Sequence, residues 1–478
     1  MTAVLSIAAA EWRYWRRSRL ALVVVALFVL TLAFVSVLTN MRVAADAEAR
    51  AHHQEESEET FLSQPDRHPH RMVHYGHYVF RTPTPLATFD PGLDSVTGQA
   101  MFLEGHRQNS ATFSSSVNSA DLGGLSWLTP AVIYQVFAPL LIVILGYGAI
   151  VREREARTLA PLLAQGTSAG ALISGKLLAL FSFALLLVVP LAVTALRSTS
   201  DGESASVAVS LVALYLLYLC VWIGLTVLVS TVLQKRTTVL ATLAACWLTV
   251  TLALPAIAVN ATSRAEPLAG KIETELTMLN EVRDLGDGHD VDDSVYDALQ
   301  ASLLEEEGVE RVEDLDVNIR GVLAGRSEAE LTETLNEYAE RRMQAESRQA
   351  RVLNRIGWLT PTLALGAASR AIVGTDLEHY HRFLRQAEAL RIEFVQGLNR
   401  VHAEELSYTA DINRNRDEAS SRRARVDASN WEVLETFEYE PAPASERLAR
   451  ASSSLQMLIA WLIALAASLS WAGMRLKP

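Results

Sequence analysis

Leu20–Leu38 is uncharged throughout and rich in Val, Leu and Phe. A helix needs about 20 apolar residues to cross the hydrocarbon core of a bilayer. In lipid every backbone polar group must be satisfied within the segment, so an apolar run of this length can only be a helix. Five more runs follow: Ala131–Ile150, Leu177–Ala195 with Pro190 near its far end, Val207–Val232, Thr237–Val259 and Leu455–Met474. The chain therefore reads as a mainly α membrane protein with six transmembrane helices. Its bulk values, 50% hydrophobic and 20% charged residues, average two populations, one almost purely apolar and one dense in Arg, Glu and Asp. Cys220 and Cys246 both lie in apolar runs, which gives no disulfide framework and no metal motif.

The basic residues fall into five groups that flank these runs. Arg13, Arg16, Arg17 and Arg19 precede the first; Arg152, Arg154 and Arg157 follow the second. Lys176 precedes the third, Lys235 and Arg236 separate the fourth from the fifth, and Arg475 and Lys477 follow the sixth. Six crossings put all five groups on one side, which the positive-inside rule makes cytoplasmic. The expected home is a bacterial inner membrane, multi-pass, with both termini inside. The first run exceeds the length of a signal-peptide core and reads as an anchor. Residues 1–19, with Trp12, Tyr14 and Trp15 among arginines, read as an amphipathic helix in the headgroup layer.

Two long insertions then face outward. Residues 40–130 are expected to form a mixed α/β domain, with alternation from Tyr75 to Phe80 and turns at Pro83, Pro85, Pro91 and Gly92. Seven of the 11 histidines lie there: His52, His53, His68, His70, His74, His77 and His106. Imidazole is a common Zn and Cu ligand, so His68, His70, His74 and His77 are candidate ligands. Their spacings fit no closed structural site, and a folded domain is the preferred reading. Residues 260–454 are expected to be a second, helical domain. Phe383, Ala387, Leu390, Phe394, Leu398 and Val401 mark one helix face. Ser327 with Glu330 reads as a capping box opening a charged helix to Arg351. Trp358–Gly374 is apolar but short, with Pro361 and Arg370, and reads as an interfacial or re-entrant helix on the outer side.

Enzyme motifs fail on inspection. Gly170–Lys176 fits the first places of a phosphate loop, but Leu177 stands where Ser or Thr must hold Mg2+. There is no H-E-x-x-H helix. Nothing suggests nucleic-acid binding.

The stretch from Val151 carries the most specific signal. Arg152, Glu153, Arg154 and Glu155, then Thr158-Leu159, then Leu162-Leu163, then Gly175-Lys176, resemble the coupling segment of ABC-2-type (type-2 exporter) permeases. Ala156-Arg157 departs from that pattern, where a Gly is frequent before the Thr; so does Gln165-Gly166, where a Pro often follows the leucines. The outer residues His74–Arg81, Pro85-Leu86, Asp90-Pro-Gly92 and Glu104–Asn109 resemble a bacterial branch of these permeases with large extracytoplasmic insertions and a domain of unknown function. The resemblance implies a permease subunit without enzymatic activity or cofactor of its own. It further implies a second permease chain, identical or related, and a separate ATP-binding subunit that carries ATP and Mg. Segment 151–176 would then join spans 131–150 and 177–195 on the cytoplasmic side, with 151–163 as the coupling helix. Two alternatives stay open: a mechanical transmitter acting on a periplasmic partner, and a membrane-anchored metal-binding protein.

Overall fold

The computed structural model describes residues 3–113, 127–270, 273–274, 276–278, 280 and 293–476. The described chain is mostly helical. Six helical stretches are long and apolar enough to cross a membrane: Arg19–Leu62, Pro130–Glu155, Ala169–Ser200, Ala205–Val232, Arg236–Ala265 and Ala444–Met474. Each contains one of the expected spans, and together they describe a multi-pass membrane protein. Lys477 and parts of both insertions lie outside the described residues.

The helix Arg19–Leu62 does not stop where its apolar run stops. At 1.5 Å per residue it is a rod of about 66 Å, roughly twice the hydrocarbon thickness. Its far half buries Arg50, which donates to Arg81 O at 2.8 Å, and Phe61, which packs with Met72 and Phe394. The third span breaks at Val188, one residue before the Val189–Ser200 helix, because Pro190 supplies no N–H and clashes with the preceding turn.

Two spans widen into π-turns, Ile133–Phe137 and Thr249–Ala253, each just ahead of a proline, Pro139 and Pro255. Carbonyls in these two turns accept side-chain donors. Tyr218 Oη donates to Gln135 O at 2.7 Å, Trp247 Nε1 to Val136 O at 2.8 Å, and Thr360 Oγ1 to Val250 O at 2.8 Å. Lipid offers no such partners, so these bonds fix which faces turn inward.

Pro361–Val373, expected to be interfacial or re-entrant, is buried nearly all round between Ala205–Val232 and Ala444–Met474. An interfacial helix keeps one face wet; this one buries Thr362, Leu365, Ser369 and Ile372 alike. Its 13 residues span about 20 Å, too short to cross.

The two insertions share one head. Its apolar core takes Phe61, Met72, Val79 and Leu103 from the first, and Phe383, Phe394, Leu398 and Trp431 from the second. Trp431 Nε1 donates to Gln64 O at 2.9 Å, and Arg67 bridges Val426. Among the described residues the sheet is small and antiparallel, in the order β1 (His77–Phe80), β2 (Ala100–Glu104), β3 (Arg107–Gln108). The expected helix start at Ser327 is absent. One helix runs from Ile319 to Ile356, capped by Asn318, and Glu330 instead pairs with Arg326. This helix packs along Leu377–Glu404.

Candidate functional site

The charged segment folds as an elbow of two short helices, Val151–Glu155 and Leu159–Ala164. Arg157 bends it with φ 56°, a left-handed conformation that glycine adopts without strain.

Most of the candidate residues turn inward. Glu11 of the Ala3–Arg17 helix is 4% exposed and binds both Arg152 and Lys176. Lys176 is 3% exposed and also reaches Glu153 at 3.1 Å. The helix starts at Ala169, ahead of the apolar run Leu177–Ala195, so Gly175 and Lys176 lie in its first two turns. A lone buried ammonium costs several kcal/mol; two carboxylates offset that here. Gly175 is needed for close approach, since a Cβ there would sit 2.6 Å from Ile7 Cβ. Trp12 Nε1 donates to Ser182 Oγ at 2.9 Å and Trp15 Nε1 to Leu145 O at 3.1 Å. The amphipathic helix is thus docked on the bundle rather than lying apart from it.

Arg154 caps the fourth span, donating to Leu233 O at 2.6 Å and Thr231 O at 3.0 Å. Glu155 accepts from the Arg236 backbone N–H at 2.7 Å. Thr158 Oγ1 donates to Glu153 at 2.8 Å. Leu159 is buried in the bundle's own core and Leu163 packs against it, so the apolar face expected to seat in a partner is largely used internally. What the elbow presents outward is Glu155, Ala156, Arg157, Thr158, Ala160, Pro161, Ala164 and Gln165, with Leu162 and Leu163 half-buried.

The four candidate ligand histidines separate into three settings. His70 and His74 meet His106, which sequence reasoning did not single out. His68 joins His402 around Asp411, at 3.1 and 2.8 Å, where Asn318 and Arg414 also bind the same carboxylate. Burial would raise the Asp411 carboxyl, yet these donors hold it far below the usual range. His77 lies alone between Phe61 and Phe394, and burial pushes its pKa down to about 4.

A polar belt was also missed. Asp90 accepts from Ser369 Oγ, which meets Tyr215 Oη at 3.0 Å; Gln135 Nε2 donates to that Tyr215 oxygen at 3.3 Å. Burial raises the Asp90 carboxyl against the pull of Arg370. Only the three-dimensional meeting of loop, spans and short helix reveals it.

A family model matches residues 271–440. It is described as a domain of unknown function, DUF3526. The match covers the second insertion's share of the head, including Glu328, Arg391, His402 and Asp411. No curated protein matches the chain.

Proposed function

We propose that this chain is the membrane-spanning subunit of an ATP-driven transporter of the ABC-2 exporter kind. A separate ATP-binding subunit docks on the elbow 151–166 from the cytoplasmic side of a bacterial inner membrane, and a second permease chain completes the pair. ATP and Mg2+ reside on that partner, and this chain performs no hydrolysis.

The observation that carries this reading is the elbow. It is clamped to the third and fourth spans and to the amphipathic helix by Glu11, Arg152, Glu153, Arg154 and Lys176. Its opposite side presents Arg157, Ala160, Pro161 and Ala164 to solvent. A push on that rim is transmitted to several spans at once, because packed helices move as rigid bodies. Leu159 is no probe of docking, because Leu159→Ala opens a cavity in the bundle. The rim is tested with Ala160→Asp and Ala164→Asp. Expected are loss of ATPase capture in co-purification and unchanged thermal stability of the membrane subunit. If both variants retain the ATPase and full coupled activity, the docking assignment falls.

A second reading, a mechanical transmitter, is favoured by the unbroken Arg19–Leu62 helix that joins span and head. Reconstituted vesicles separate the two: an exporter moves cargo with ATP, and a transmitter changes only the head.

A further inference from the structure

We propose that His70, His74 and His106 bind a single divalent transition-metal ion of borderline softness, of the Zn2+ or Cu2+ kind, with Glu328 holding His106 in place. The site does not depend on the transporter reading.

His70 and His74 are four residues apart on the helix Pro69–Tyr75, so their rings project from one face. Their Nε2 atoms are 3.3 Å apart. That is about the ligand-to-ligand edge of a tetrahedron whose metal–nitrogen bonds are near 2.0–2.1 Å. His106 supplies the third nitrogen, and all three offer atoms within 4.8 Å of one another.

The third ligand is delivered by backbone packing. The Gly105 N–H donates to Val73 O at 2.9 Å, which docks the β2–β3 turn on the helix between the two histidines. A Cβ on Gly105 would lie 2.1 Å from Val73 Cγ1, so only glycine permits that approach. His106 then takes φ 62°. Glu328, fully buried, comes within 2.9 Å of His106 Nδ1 through Oε2, and the same oxygen accepts the His106 backbone N–H at 3.0 Å. Arg391 steadies the other oxygen at 2.6 Å. A carboxylate on one ring nitrogen fixes the tautomer and leaves the other to the metal, the usual outer-shell arrangement of metal-bound histidine. His74 and His106 stand on the wall of a cavity of about 1320 Å³, through which an ion and a fourth ligand can enter.

The other triad, His68, His402 and Asp411, is the poorer host. Arg414 and Asn318 already occupy its carboxylate, and Arg320 lies 3.8 Å away, so a dication would meet positive charge.

The test uses the full chain in nanodiscs with any affinity tag removed. Co2+ is added as a spectroscopic probe and displaced by Zn2+, with calorimetry for stoichiometry. One ion per chain is expected, with visible bands typical of a tetrahedral centre that vanish on adding Zn2+. His70→Ala, His74→Ala and His106→Asn should each weaken binding by at least about tenfold; Asn tolerates the positive φ, so the turn survives. His53→Ala should leave the titration unchanged. An absence of saturable binding, or a titration indifferent to any one of the three ligand variants, overturns the proposal.

Discussion

At the basic end of the bundle Glu11 is shared by Arg152 and Lys176; in the head Arg391 is shared by Glu328 and Glu388. The surroundings differ. Arg391 and Glu328 have 0% exposed side chains and join two long packed helices, with Thr332 accepting from Arg391 at 2.9 Å. Arg152 and Glu153 keep 18% and 20% exposure and lie on a helix of five residues. Similar chemistry therefore serves two ends. Full desolvation between long helices makes the head one rigid unit. Partial desolvation on a short elbow gives a clamp that can shift without unfolding its neighbours, because low local burial lowers the cost of opening.

The sharpest way to break this comparison is Arg391→Met. It strands Glu328 and Glu388 in the head and should cost about 3–5 kcal/mol, read from thermal unfolding of the full chain. A loss below about 1 kcal/mol would mean that the network is hydrated and the head is not rigid.

Acid should act next. His77 is neutral in the fold, with its pKa depressed to about 4 from 6.5. The unfolded chain binds a proton that the folded one refuses, so stability falls as pH drops from 6.5 toward 4. His77 alone accounts for up to about 3 kcal/mol over that window. Unfolding midpoints measured against pH should show the slope, and His77→Phe should flatten it; an unchanged slope excludes His77 as the cause.

At the basic end, Glu11→Gln leaves Lys176 with Glu153 only and should cost about 2 kcal/mol. Proteolysis should detach the Ala3–Arg17 helix before the head loosens. If the head goes first, the ranking of the two ends is inverted. The smallest effect belongs to Arg157→Gly, which removes a left-handed non-glycine residue and should gain about 1 kcal/mol or less; a loss of stability would mean that the Arg157 side chain outweighs its strain.

All six apolar runs were legible because crossing a bilayer demands length and uniform hydrophobicity, both local properties. The elbow was legible as a charged break between them. Its orientation was not: nothing in Arg152-Glu-Arg-Glu155 tells which charge meets Glu11, 141 residues distant. For the helix at Pro361 the sequence left interfacial and re-entrant placements open, because its apolar content and length suit both; Ser369 meeting Asp90, 279 residues away, belongs to a packed interior. The histidines were countable in sequence, yet their grouping depended on a Gly105 contact and on Glu328, 222 residues from His106. The capping box at Ser327 failed because Asn318 caps the same helix earlier.

The unbroken Arg19–Leu62 helix has a geometric corollary. Over about 66 Å a tilt of roughly 5° at one tip sweeps the other by about 6 Å, so a motion too small to disturb the packing of the spans becomes a stroke as long as a full helical turn beneath the histidine-rich crown.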